Sequence, residues 1–125
     1  MEQRVSLITL GVADLDRSRR FYEQGLGWQM TEMVESQVVF YQLSNGLALG
    51  LFGRKDLIKD GQFDDDNGAT FAGLTLAYNA RSEEEVDQVM AEAKKAGAKI
   101  QKPPEKVFWG GYSGYFRDPD GHAWE

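Results

Sequence analysis

Few side chains in this 125-residue chain are able to do chemistry, and the missing types exclude most catalytic sites. There is no cysteine, and His122 is the single histidine. Thiol nucleophiles, thiolate metal sites and sites that need two imidazoles from one chain are therefore excluded. His122 is a potential proton carrier because a histidine titrates near neutral pH. Its place directly after the turn-forming pair Asp120 and Gly121 favours a turn-stabilising role instead, and Asp118 has the same interpretation.

Charge and composition exclude further classes of function. The formal net charge of -6 repels phosphate backbones and anionic membranes, so we expect no nucleic-acid partner and no membrane partner. No apolar run approaches the ~20 residues that cross a bilayer, and no signal pattern opens the chain, so a cytoplasmic location is expected. The run Asp64, Asp65 and Asp66 favours a solvated loop over a cation site.

An aromatic and glycine-rich segment near the end of the chain is the first candidate binding element. Phe108, Trp109, Tyr112 and Tyr115 interleave with glycines at positions 110, 111 and 114. Glycine allows close approach of a backbone, and aromatic rings supply stacking area, so the pattern suits a loop that contacts a ligand. An aromatic hairpin that covers the core explains the pattern equally well, and both interpretations stay open.

The elements that must position these residues follow from periodicity and capping. In each half of the chain the pattern predicts a strand, a capped helix and three short strands. Asp14 is the predicted N-cap of the first helix, and Ser82 with Glu85 forms a capping-box signature for the second. Strands are predicted at residues 5–12, 28–34, 37–43, 47–52, 71–79, 99–101 (halted by prolines 103 and 104), 112–117 and 121–125.

The similarity of the two halves predicts an internal duplication. The strand Ile8-Thr9-Leu10-Gly11-Val12 recurs in kind as Leu74-Thr75-Leu76-Ala77-Tyr78, and each is followed by the same order of elements. We therefore predict one α+β domain over residues 1–125 with repeats at about 4–53 and 70–125. The polar segment between them, residues 54–69, has no sustained period and is interpreted as a linker or lid.

Two motifs resemble the vicinal oxygen chelate superfamily, which includes glyoxalases, extradiol dioxygenases and bleomycin-resistance proteins. The first is Val12-Ala13-Asp14-Leu15-Asp16-Arg17-Ser18 with Phe21-Tyr22 and Leu26-Gly27-Trp28. The second is Phe116-Arg117-Asp118-Pro119-Asp120-Gly121-His122-Ala123-Trp124-Glu125. The resemblance implies two tandem β-α-β-β-β modules that form a cupped, largely antiparallel mixed sheet around a ligand. It implies no particular activity, because fold and function separate readily.

The resemblance also implies four inward positions that hold a metal in metal-dependent members. Matched by motif, they fall at Leu7, near Gly50, near Gly73 and at Glu125. Only Glu125 is of ligand type, and one carboxylate binds a divalent ion weakly. We therefore expect no cofactor and no confident catalytic residue. Glu125 remains possible as a metal ligand or general base, and a carboxylate that is only hydrogen-bonded is favoured.

The expected function is that of a small-molecule-binding protein, of the bleomycin-resistance type, with an apolar and aromatic-lined pocket. The two glycines at ligand positions predict that the vacated metal site leaves room for an aromatic or cationic ligand. A metal-assisted lyase, isomerase or dioxygenase is the alternative. Exposed sheet edges favour pairing of two chains, and the resemblance implies the same, because members of the superfamily usually pair their subunits, so we expect a homodimer. The expected ligand-binding residues are Leu7, Thr9, Phe52, Gly73, Trp109, Tyr112 and Tyr115.

Overall fold

A computed structural model describes residue 3 and residues 6–61, 65, 72, 74–107 and 111–125 of the protein. The first module contains one helix and four strands. Its elements are β1 (Leu7–Val12), α1 (Leu15–Arg19, continued by a π-helical segment at Arg20–Gly25), β2 (Glu32–Val34), β3 (Val38–Gln42) and β4 (Ala48–Gly53). The second module repeats this order after a connecting helix. Its elements are α2 (Arg54–Gly61), β5 (Thr75–Leu76), α3 (Glu83–Lys95), β6 (Lys99–Lys106), β7 (Tyr112–Arg117) and β8 (Ala123–Trp124).

The strands form two four-stranded sheets with the same topology. Sheet 1 has the order β1-β4-β3-β2 and sheet 2 has the order β5-β8-β7-β6. In each sheet the first and last strands of the module pair in parallel, and the other pairs are antiparallel. The predicted fold class, two tandem β-α-β-β-β modules with mixed sheets, is confirmed. No helix in the described ranges is long and apolar enough to cross a membrane.

Both predicted helix starts are confirmed by their caps. The Asp14 carboxylate accepts a hydrogen bond from the backbone N–H of Arg17. The Ser82 hydroxyl accepts one from the N–H of Glu85, whose own carboxylate reaches back to the N–H of Arg81. These bonds satisfy donors that have no partner within the helix, which is why the capping residues fix where each helix begins.

Strand β2 is shorter than predicted because Trp28 belongs to the core. The predicted strand covered residues 28–34, and the observed strand begins only at Glu32. The Trp28 ring lies 5.4 Å from the ring of Tyr22 and 5.7 Å from that of Tyr41. Because the indole packs between these two rings, the residues just after the first helix do not pair with β3, and the strand begins only further along the chain.

The prediction that prolines end β6 is wrong. The strand continues through Pro103 and Pro104 to Lys106. Because β6 is an edge strand of sheet 2, a proline nitrogen on its open side removes no ladder hydrogen bond. The register of β6 against β7 shifts twice along this stretch, so bulges absorb the irregular backbone.

The connecting segment contains a helix that the sequence did not predict. Helix α2 occupies its first half and packs against β1 and β4. Leu57 lies on this contact, because a Cβ added to Gly11 of β1 would be 3.4 Å from the Leu57 Cδ2 atom. The helix is stabilised by this packing, which a search for periodicity in a short polar segment does not detect.

The core is one cluster that joins the two modules. Residues of β1, β3 and β4 face α1, and residues of β5, β7 and β8 face α3. The rings of Tyr22 and Trp124 connect the two halves with 6.3 Å between their centroids, and Phe116 stacks on Trp124 at 6.2 Å. We name the opposite side of each sheet, which faces away from α1 and α3, its inner face.

A network of hydrogen bonds holds the final turn of the second module against the first helix. The Asp120 carboxylate accepts from the N–H of Ala13 (2.7 Å), from Arg17 (2.9 Å) and from the hydroxyl of Ser18 (2.8 Å). A ring nitrogen of His122 lies 2.9 Å from the carbonyl oxygen of Gly11. The turn residues therefore do more than stabilise their own hairpin, because they join the modules.

The buried centre of this junction is a chain of three polar side chains. The Tyr22 hydroxyl donates to Asp118 (2.8 Å) and accepts from the indole N–H of Trp124 (3.1 Å). The second oxygen of Asp118 accepts from the backbone N–H groups of Asp120 and His122, both at 2.9 Å. Burial, followed by the charge of Asp118, raises the pKa of Tyr22 well above its ordinary value.

Candidate functional site

Three of the predicted ligand-binding residues share the inner face of sheet 1. In the register of β1 and β4, Leu7 lies opposite Ala48, Thr9 opposite Gly50, and Gly11 opposite Phe52. Leu7 is 43% exposed, whereas Thr9 and Phe52 are half-buried. Side chains on this part of the face are short or apolar and carry no charge, as the sequence predicts.

The space at Gly50 is filled, in contrast to the open room predicted there. A Cβ added to Gly50 would lie 3.3 Å from a ring carbon of Phe40 and 3.4 Å from the hydroxyl oxygen of Thr9. Phe40 is the neighbour of Gly50 on β3, and its ring covers the backbone that lacks a side chain. The missing side chain is thus compensated by an aromatic one, and the surface over Gly50 is a hydrophobic floor.

One end of the same face is closed by α2. Leu57 lies over Gly11, and the Cγ atom of Arg54 is 3.7 Å from the position of a Cβ on that glycine. Arg54 also forms an ion pair with Asp65 at 3.1 Å. A methyl group at Gly11 would be in ordinary van der Waals contact with α2, so the helix packs directly on this part of the face.

The inner face of sheet 2 is polar where that of sheet 1 is apolar. Tyr115 and Glu125 share this face, and the Glu125 carboxylate is close enough to influence the ionisation of the Tyr115 phenol. Burial, and after it the interaction with the Glu125 carboxylate, raises the pKa of Tyr115, while the positive charge of Lys102 opposes the shift. Glu125, the one ligand-type residue at a family metal position, thus has a phenol as its neighbour.

Tyr112 does not join Tyr115 on the inner face. The two residues are three positions apart in β7, so their side chains point to opposite sides of sheet 2. The Tyr112 hydroxyl donates to the Asp87 carboxylate on α3 at 2.7 Å. The expected aromatic lining is therefore divided between two faces. Gly73 and Trp109, the two other predicted ligand-binding residues, lie outside the described residues.

The residues at the matched family positions do not fit a metal ion. Leu7 offers no donor atom, Gly50 has no side chain, and the carboxylate of Glu125 has Tyr115 as its neighbour. Over the ranges that the structure describes, no three His, Cys, Asp or Glu side chains are grouped as metal ligands. The donor chemistry of this face supports hydrogen bonding and hydrophobic contact with an organic molecule.

Two residues of this site were missed by the sequence. Phe40 is an alternate residue of β3, so its side of the strand was predictable, but its contact with Gly50 depends on the register between β3 and β4. Leu57 lies in the segment interpreted as a linker or lid. Its apolar side chain, next to Ile58 in a polar stretch, was the available signal.

Comparison with known proteins gives one family. The sequence-family model of the Glyoxalase/Bleomycin resistance protein/Dioxygenase superfamily matches residues 4–125. A glyoxalase-related enzyme from Fulvimarina pelagi is 35% identical, with 98% of this chain and 86% of that chain covered and a TM-score of 0.88.

More distant solved structures have the same fold. A hypothetical protein from S. aureus is 27% identical, covers 99% of this chain and 91% of its own, and has a TM-score of 0.82. A lactoylglutathione lyase from Agrobacterium tumefaciens is 24% identical, with 99% and 92% covered and a TM-score of 0.72. At that level of identity the likeness concerns the fold alone.

Proposed function

The chain belongs to the Glyoxalase/Bleomycin resistance protein/Dioxygenase superfamily, and on this premise we propose that it binds a small organic molecule on its inner faces without a metal cofactor. The observation that carries the proposal is the state of the family metal positions. One holds an aliphatic side chain, and another is a glycine whose space Phe40 and Thr9 fill. A side chain built at Gly50 would meet the Phe40 ring and the Thr9 hydroxyl at close range, so the position is no longer an open ligand position.

The two inner faces define the chemistry of the proposed ligand. Sheet 1 offers Leu7, Phe52 and the ring of Phe40, which suit an apolar or aromatic body. Sheet 2 offers the neighbouring side chains of Tyr115 and Glu125, and the carboxylate favours a cationic or hydrogen-bond-donating group. An aromatic or cationic molecule with one polar end matches both.

We also propose that two copies of the chain associate. Leu7 is 43% exposed on the inner face of β1, and Val34 is 39% exposed on β2, and these two strands are the edges of sheet 1. A second copy would cover apolar surface and an unpaired strand edge at once. Light scattering across a range of concentrations tests this association, and a monomer at the highest concentration would refute it.

The ligand-binding proposal is tested by NMR titration in the presence of a chelator. A set of small aromatic amines and neutral aromatics is added to 15N-labelled protein, and the amide shifts are mapped. We expect concentration-dependent shifts at Leu7, Thr9 and Tyr115. Thr9→Phe places a ring over this face and should weaken binding at least about fivefold by occupying the contact surface.

A matched variant controls for the added ring. Gln88→Phe introduces the same side chain on the exposed face of α3 and should leave the affinity of the inner faces unchanged. If no compound shifts inner-face amides, or if shifts appear only after metal is added, the proposal is wrong.

A metal-assisted lyase, isomerase or dioxygenase is the second candidate function. It is favoured by the Fulvimarina pelagi relative, a glyoxalase-related enzyme at 35% identity, and by the retained carboxylate of Glu125. Catalysis of this kind needs several fixed ligands. Stoichiometric metal binding that Glu125→Ala abolishes would favour this function over the first.

A further inference from the structure

A groove lies on the other side of sheet 2, between α3 and β7. Its volume is about 560 Å³, within the range of small-molecule sites. From its lining and rim we infer that this α3–β7 groove is a second binding site, separate from the inner faces, for a protonated amine that carries a small aromatic or alkyl group.

The floor and walls of the groove are apolar. Val86, Val89 and Met90 contribute from α3, and Phe116 contributes from β7. Gly114 leaves the middle of β7 flat, and a Cβ there would lie 3.1 Å from the terminal methyl carbon of Met90. The groove therefore offers a hydrophobic surface with a polarizable thioether beside it, which suits an aromatic or alkyl body.

Two tyrosines stand at the rim, and each is bound to a carboxylate of α3. Tyr78 donates its hydroxyl proton to Glu85 at 2.9 Å, and Tyr112 donates to Asp87 at 2.7 Å. Phenols are protonated at neutral pH, and these hydrogen bonds raise the pKa of both further. A phenol whose proton is already donated can only accept further hydrogen bonds.

The rim is thus a set of acceptors with an excess of negative charge. The carboxylates of Glu85 and Asp87 stand beside these phenols, and no lysine or arginine is among the described residues that line the groove. Arg81 acts on Glu85 from the adjoining turn, and Lys106 lies 4.0 Å from Glu83, so part of the surrounding negative charge is compensated outside the groove. An ammonium group supplies the donors and the positive charge that this rim lacks, and aromatic faces attract cations.

The experiment uses phenethylamine as the probe and 2-phenylethanol as its uncharged counterpart. Each is titrated into the 15N-labelled chain up to about 10 mM, a range that reveals millimolar dissociation constants. We expect the amine to shift the amides of Val86, Val89 and Gly114. The alcohol should bind about fivefold to tenfold more weakly because it lacks the charge-assisted hydrogen bond.

Matched charge variants locate the interaction. Asp87→Asn keeps an acceptor for Tyr112 but removes one negative charge, and it should weaken amine binding by about threefold to tenfold without changing the alcohol. Glu84→Gln removes the same charge from the opposite, exposed side of α3 and should change neither affinity.

Three outcomes would overturn the inference. They are amine shifts confined to inner-face residues such as Thr9, equal affinity for amine and alcohol, and no shift at the groove at the highest concentration. Amide shifts at the groove and amide shifts at the inner faces are read separately, so either binding proposal can be refuted without the other.

Discussion

Removal of the Tyr22 hydroxyl should destabilise the protein far more than removal of an equivalent hydroxyl elsewhere. Tyr22 is fully buried and connects the indole of Trp124 to the carboxylate of Asp118, which is 4% exposed. In Tyr22→Phe the carboxylate loses a charge-assisted hydrogen bond, a loss of about 1.5–3 kcal/mol. The indole N–H also loses its acceptor in a buried site, which adds about 1–2 kcal/mol.

Tyr41→Phe is the matched control. The hydroxyl of Tyr41 donates to Glu23 at 3.1 Å, but the side chain of Glu23 is 23% exposed and also pairs with Arg19. Water and Arg19 can therefore satisfy this carboxylate after the hydroxyl is removed. We expect a loss of about 0.5–1.5 kcal/mol for Tyr41→Phe, against about 3 kcal/mol for Tyr22→Phe.

Urea denaturation of both variants and of the wild type measures these free energies of unfolding. At about 4 °C per kcal/mol for a chain of this size, the melting temperature of Tyr22→Phe should fall by about 12 °C. If both variants lose the same free energy of unfolding, the reasoning is wrong. The loss would then come from hydroxyl removal in general and not from the buried junction between the modules.

Three further predictions concern packing, charge and pH. Gly25→Ala should cost about 1–3 kcal/mol, because the new Cβ would overlap that of Ala96, and Gly25→Ala with Ala96→Gly should recover most of the loss in a double-mutant cycle; additive losses would contradict the clash. Asp120→Ala should cost about 2–4 kcal/mol in urea denaturation, because three donors lose one carboxylate, and a loss below 1 kcal/mol would show that they are rehydrated. Burial raises the pKa of Tyr22 and of Tyr41 above the ordinary value of 10.0. Above about pH 10 the unfolded tyrosines ionise first, so stability should fall by up to about 1.4 kcal/mol per pH unit for each, and an unchanged alkaline slope in the double Phe variant would disprove this assignment.

Much of the fold is encoded locally, which is why the sequence predicts it. The caps at Asp14 and Ser82 fix the starts of two helices through contacts within four residues. The hairpin around residues 118–121 follows from its own turn chemistry. Repetition of the same order of elements in both halves then predicts two equivalent modules.

Features that depend on contacts between distant parts of the chain were not predictable in this way. Asp120 looks like a turn residue, and its bonds to the start of α1 appear only when the modules meet. Helix α2 packs against β1 and β4, a contact that the sequence of the segment itself does not reveal. Strand β6 tolerates two prolines only because it lies at an edge of its sheet.

The candidate site was predicted in part. Alternation along β1 and β4 correctly placed Leu7, Thr9 and Phe52 on one face. The odd spacing of Tyr112 and Tyr115 already implied opposite faces, so their separation was readable from the strand pattern. The sequence did not predict that the space at Gly50 is filled, because this depends on which residue of β3 lies opposite Gly50.

The central claim, an inner face that works without a metal, is tested most directly by the metal content of the purified protein. The chain is prepared without a histidine tag or chelator, incubated with zinc, nickel, manganese or iron, desalted and analysed by mass spectrometry. Our account predicts less than about 0.1 ion per chain in every case, because one carboxylate cannot fix an ion. About one ion per chain, lost in Glu125→Ala, would contradict it.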